Sequence, residues 1–177
     1  MTSSALRKLP PLTSHPGPAS AERFAVVVSF SGFSIVNKEP PMQVNPYLFF
    51  KGNCETAFKF YEKALGGKIE AMLPHEGTPA ADHVPAEWRN KIMHAKLVVG
   101  NMVLMGSDAP PQFQKAMQGF SVSLGIDTPA EAERVFKALS ENGTVTMPLE
   151  KTFWAERFGM LVDQFGTPWM INCEKAA

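Results

Sequence analysis

Residues 46–65 read PYLFFKGNCETAFKFYEKAL, and residues 121–140 read SVSLGIDTPAEAERVFKALS. Each stretch is a short apolar run, a polar break and an amphipathic segment. The second follows the first at an offset of 75, from Tyr47 to Val122 and from Ala57 to Ala132, and the same offset carries Met72 to Met147 further on. Three segments in one register mark a duplicated unit, so every motif can be read twice.

The elements follow from that repeat. Pro46–Phe50 is an apolar strand ended by Gly52-Asn53, and Asn53 is placed to cap a helix from about Cys54 to Leu65. Ala57, Phe60, Tyr61, Ala64 and Leu65 give that helix one apolar face, and Gly66-Gly67 stops it. Strands are predicted at 68–73, 91–99 and 101–107, the last two joined by a Gly100-Asn101 turn. In the second half Phe120–Ile126 is a strand. Asp127 or Thr128 caps a helix with Pro129 in its first turn, whose buried face is Ala132, Val135, Phe136 and Leu139. Strands follow at 144–149, 158–163 and 168–173.

Each half is therefore β-α-β-β-β. A lone unit of this kind leaves one sheet face bare, so the expected fold is α+β. Two tandem modules, about 42–108 and 119–177, pair into a curved sheet around a cavity with helices on the outer face. Whether they pair within one chain or between two is left open. The stretch from His75 to Asn90 is long and carries Gly77, Pro79 and Pro85, which reads as a surface loop able to cover the cavity.

Residues 1–41 stand outside the repeat. They hold six prolines and seven serines, too little apolar density to order themselves, and are expected to be a mostly disordered extension, with Met42 the start of the folded protein. Within them Phe24–Val36 reads as a strand or an apolar leader core, too short for a membrane span. The chain of 177 residues has a formal net charge of +0, and neither sign clusters, which argues against a nucleic-acid partner. Two cysteines, Cys54 and Cys173, are too few for a disulfide framework and suit the cytoplasm.

The longer motifs carry a resemblance. Phe60-Tyr61-Glu62-Lys63-Ala64-Leu65-Gly66 inside paired modules resembles the vicinal oxygen chelate superfamily of glyoxalases, bleomycin-resistance proteins and extradiol dioxygenases. Pro46–Phe50, Lys91-Ile92-Met93-His94-Ala95, Phe153-Trp154 with Arg157-Phe158-Gly159-Met160, and the run Asp163–Glu174 are similar to its PhnB-like branch. That branch is sometimes labelled demethylubiquinone methyltransferase-like, although no Gly-rich strand-to-helix turn of the kind a nucleoside cofactor needs is present. No cofactor is expected.

The resemblance implies a divalent metal held by four side chains on the first and fourth strands of each module. Carried over, those positions are Pro46, Ser121, Leu104 and Met170. None is an imidazole, carboxylate or thiolate, so no metal ligand is expected. Strand alternation places Ser121 and Ser123 toward the cavity, with Met170, Asn172 and Glu174 on one face of the last strand. The expected pocket is apolar, from Phe50, Leu104 and Met170, with His94, Ser121, Ser123 and Asn172 as polar groups and Trp154 and Arg157 closing one side. His94 and Glu174 are the candidate catalytic groups, each also readable as an ordinary strand residue. Cys54 begins a helix, where a thiol's pKa can be lowered, or is simply a small buried residue at a helix start.

Two functions fit. One is a metal-free small-molecule-binding protein of the bleomycin-resistance type, working as a homodimer. The other is a lyase, isomerase or hydrolase using His94 or Glu174, and convergence of any two of His94, Asn172 and Glu174 would favour it.

Overall fold

The computed structural model describes residues 42–175. The expectations for residues 1–41, the strand at Phe24–Val36 among them, lie outside the described residues. The first module runs β1 (Tyr47–Phe50), α1 (Cys54–Leu65), β2 (Lys68–Pro74), β3 (Ile92–Val99) and β4 (Met102–Asp108). The second runs β5 (Val122–Gly125), α2 (Pro129–Leu139), β6 (Thr144–Glu150), β7 (Ala155–Val162) and β8 (Pro168–Glu174). Each forms its own four-stranded sheet, ordered β1-β4-β3-β2 and β5-β8-β7-β6, with the first pair parallel and the others antiparallel. The α+β class and the tandem modules are as the repeat predicts.

The two helices start by different means. Thr128 caps α2 with its own side chain, its Oγ1 accepting from the Glu131 amide at 3.3 Å. Asn53 makes no such bond, contrary to expectation. Asp108, at the end of β4, does the work instead. Its Oδ1 accepts from the Cys54 amide at 2.9 Å and its Oδ2 from the Ile92 amide at 2.9 Å. One buried carboxylate thus satisfies a helix N-terminus and the start of a strand together.

The pairing register corrects the repeat. Leu97 pairs with Leu104 and Leu161 with Trp169, and in both pairs the side chains are buried against the helix. On β1 Leu48 and Phe50 are buried; on β5 it is Leu124. Matching faces therefore moves Leu48 to Leu124, 76 positions on, and Leu104 to Trp169, 65 on. Gly67 and Gly143, also 76 apart, confirm it. A Cβ on either would strike the carbonyl of Val98 or Val162, at 2.7 and 2.5 Å. The offset of 75 holds only for the helices, where Ala57 and Ala64 answer to Ala132 and Leu139. In a strand one residue of slip reverses the face, so Tyr47 and Val122 lie on opposite sides of their sheets.

The modules meet through their helix-bearing sides. Tyr61 of α1 packs edge-on against Trp169 and Phe165, with ring centroids 5.3 and 6.0 Å away, and Phe60 meets Phe165 at 5.6 Å. Arg134 of α2 donates to the Ala64 carbonyl at 3.1 Å. The result is one continuous core of Leu48, Phe50, Phe58, Tyr61, Leu97, Leu139, Trp169 and Ile171. Burying each such side chain contributes about 1.5–3 kcal/mol. Among the described residues, every hydrogen bond and ring contact made by the opposite, bare faces stays within its own module.

The stretch from His75 to Asn90 is pinned to the fold. The His75 amide and Nδ1 both lie within hydrogen-bond distance of the Lys91 carbonyl, the Glu76 amide donates to Arg89, and Trp88 is buried.

Candidate functional site

Because Leu48 and Phe50 point to the helix, Tyr47 and Phe49 must point away from it. They share the bare face of module one with His94, Lys96, Met105 and Ser107. The Tyr47 hydroxyl lies 3.2 Å from His94 Nδ1, and the two rings stack with centroids 5.9 Å apart. Lys96 is neutralised by Glu70 at 2.7 Å. Beside Tyr47 the segment between the modules folds back to make a groove of about 760 Å³, lined by Tyr47, Phe49, Ser107, Phe113, Met117 and Phe120 among others. The size and the mostly apolar wall are those of a small-molecule pocket.

The sequence-derived site residues do not all reach a bare face. Phe50 and Leu104 are core residues on the helix side. Phe50 packs against Phe58 and Tyr61 at 6.1 and 6.4 Å, because β1 presents its even-numbered residues to α1. Leu104 also borders a smaller groove of about 360 Å³ with Ser123. Arg157 turns to the helix side as well, where Glu133 of α2 holds its guanidinium at 2.8 Å. Ser123, Met170 and Asn172 do share the bare face of module two, and Ser121 lies just before β5. Trp154 stacks edge-on against Phe158 of the same face at 5.4 Å.

Asn172 Nδ2 reaches Glu174 at 3.5 Å, while its buried Oδ1 has no partner. Two of the three groups named for an enzyme therefore touch, which counts toward the enzyme reading, while His94 stands on the other module. By register His94 answers to Phe158.

The metal positions also need re-reading. Leu104 answers to Trp169, and the partner of Met170 on the bare face is Met105, a thioether in place of an alkane. By the offset of 76 the counterpart of Ser121 is Asn45, not Pro46, and Asn45, Ser121, Met105 and Met170 remain a set without imidazole or carboxylate that does not fit a divalent ion. Among the described residues no three His, Cys, Asp or Glu side chains converge.

One buried group escaped the sequence reading, and the structure decides the role of a second. Asp163, in the turn after β7, accepts from Tyr61 Oη at 2.7 Å and Trp169 Nε1 at 2.8 Å through Oδ2, and from the Phe165 and Thr167 amides through Oδ1. It lies in the long run Asp163–Glu174, whose specificity was visible although its role was not. Burial, with Asp163 beside it, raises the Tyr61 phenol well above its ordinary pKa. Cys54 is the second. Burial and the nearby Asp108 and Glu55 carboxylates push its thiol up, not down, so the helix start does not activate it.

The duplicated β-α-β-β-β chain with one bare face per module has the vicinal oxygen chelate fold. A glyoxalase family protein from Bacillus cereus shares it at a TM-score of 0.56 and 13% identity, over 81% of this chain and all of that one. A PhnB protein from Bacillus cereus matches at 0.62 and 21% identity, over 75% of this chain and 99% of that one.

Protein PA1353 from Pseudomonas aeruginosa is 52% identical with a TM-score of 0.71, covering 77% of this chain and all of that chain. Protein YjdN from Escherichia coli is 34% identical over 142 residues, 76% of this chain and 97% of YjdN. The chain belongs to the PhnB-like branch of that superfamily, in the family described as 3-demethylubiquinone-9 3-methyltransferase, whose model matches residues 42–172. That description names a methyl transfer, yet the two strand-to-helix turns here, at 51–53 and 126–128, contain one glycine, Gly52, and no phosphate-cradling loop.

Proposed function

We propose that this chain is a small-molecule-binding protein of the glyoxalase and bleomycin-resistance type, with its ligand in the groove beside Tyr47. The observation that carries this is the groove itself: about 760 Å³, walled by Tyr47, Phe49, Phe113, Met117 and Phe120, with His94 behind Tyr47 at hydrogen-bond distance. A homodimer fits the remaining bare surface, since Leu73, Met147 and Trp154 are large, apolar and exposed. Two free, buried thiols agree with a cytoplasmic protein, and no described helix is long and apolar enough to cross a membrane.

The hydrogen-bonded Tyr47 and His94 favour one alternative, a lyase, isomerase or hydrolase of a small metabolite. There the imidazole takes a proton from substrate or from the phenol. Glu174 has no comparable partner beyond Asn172. A melting-temperature screen with small amphipathic compounds, followed by mass spectrometry of the hits, separates the two. A stabilising compound recovered unchanged supports the binding protein. A compound converted by the native chain and spared by His94→Ala makes it an enzyme, and a screen with no stabilising compound defeats both.

A further inference from the structure

We infer that the groove takes a flat aromatic anion, a carboxylate or sulfonate on a fused or single ring. This rests on the small-molecule reading above and adds the ligand's chemistry. Tyr47, Phe49, Phe113 and Phe120 all border the groove, yet they are 38, 56, 68 and 46% exposed. Four rings around one depression offer faces and edges to another ring, an arrangement with more geometric preference than an aliphatic wall.

The charge is one-sided. A second depression of about 230 Å³ adjoins the first and shares Phe49, Lys115, Ala116 and Met117 with it; Lys51 also lines this second depression. Neither Lys51 nor Lys115 has an ion-pair partner among the described residues, so both ammonium groups are open to an anion. The one acid lining either depression is Asp108, and both its oxygens are engaged by the Cys54 and Ile92 amides. An anion held by the ring faces therefore finds the Lys115 ammonium on the groove wall, the Lys51 ammonium in the adjoining depression, and no free carboxylate to oppose it. Tyr47, whose hydroxyl lies 3.2 Å from His94 Nδ1, lines the same groove and can supply a hydrogen bond.

The test is calorimetric titration of the full chain with 2-naphthoate and with its neutral isostere 2-naphthamide. Naphthoate is expected to bind about tenfold or more tightly than the amide, the worth of roughly one charge-assisted contact. Raising NaCl from about 0.05 to about 0.5 M should shrink that preference. The double variant Lys51→Gln/Lys115→Gln, at exposed positions that leave the core intact, should bring the two within about twofold.

Equal binding of the two compounds overturns the anion assignment and leaves the small-molecule reading standing. Binding of neither, while the broader screen yields an aliphatic ligand, overturns the aromatic assignment alone. Naphthoate affinity that falls as the chain concentration is raised gives the groove to a second copy and overturns the inference.

Discussion

The two modules share a backbone plan and differ in how each is completed. Module two is self-sufficient: Thr128 caps α2 from the adjacent position, and Cys173 sits on β8 where Asp108 sits on β4. Module one borrows its cap from the far end of its own sheet, through Asp108. The hairpin turns differ too. Two residues, Gly100-Asn101, join β3 to β4, whereas 163–167 join β7 to β8, and the extra length carries Asp163 into contact with Tyr61 of module one. The bare faces diverge most. Tyr47 and Phe49 fill β1 where β5 has Ser123 and Gly125. The duplicated residues build the scaffold, and the unduplicated ones join the modules or face solvent in grooves.

The sharpest way to break this comparison is Asp163→Ala. It strands the Trp169 indole and two amides at the junction of the modules and leaves the Tyr61 hydroxyl with Thr167 Oγ1 alone, at 2.9 Å. We expect a loss of about 4 kcal/mol in urea unfolding, from several orphaned donors. A loss under about 1 kcal/mol would mean the modules dock by apolar packing alone.

Asp108→Ala comes next. It removes two charge-assisted bonds and is expected to cost about 3 kcal/mol, whereas Cys173→Ala at the matching site removes one buried sulfur and should cost about 1 kcal/mol. Equal costs would erase the distinction between the modules.

Alkali should find module one first. Cys54 and Tyr61 both have raised pKa values in the folded chain, so the unfolded chain releases these protons first as pH rises. Stability is then fully present below the unfolded thiol pKa, about 8.5, and is lost above it at up to about 1.4 kcal/mol per pH unit. The loss should steepen past about pH 10 as the unfolded tyrosine ionises. Cys54→Ala should move the onset from near 8.5 to near 10, measured by unfolding at a series of pH values.

The smallest effect sharpens the difference in capping. Thr128→Ala should cost about 1 kcal/mol, and Asn53→Ala less than about 0.5 kcal/mol, since Asn53 makes no side-chain cap.

Much of the fold was legible in the chain. The periodicities of Cys54–Leu65 and Pro129–Leu139, the glycines that end α1, and the strand-rich spacing of the rest place every element within a few residues of its observed span. The site was only partly legible. His94, named as a candidate, lies on the bare face of module one, whereas Tyr47 beside it was passed over in favour of Phe50, because a one-residue error in β1 exchanges the two faces. Arg157 read as a cavity residue, yet β7 turns it outward to Glu133.

What the sequence determined by itself is the duplicated unit, since helix and strand periods are local properties that survive a small error of alignment. Which side of each strand is bare, which carboxylate caps α1, and what joins the two modules were decided only in the tertiary structure. Those depend on pairings between residues tens of positions apart, such as Cys54 with Asp108 and Tyr61 with Asp163, and no local pattern along the chain encodes the register that brings them together.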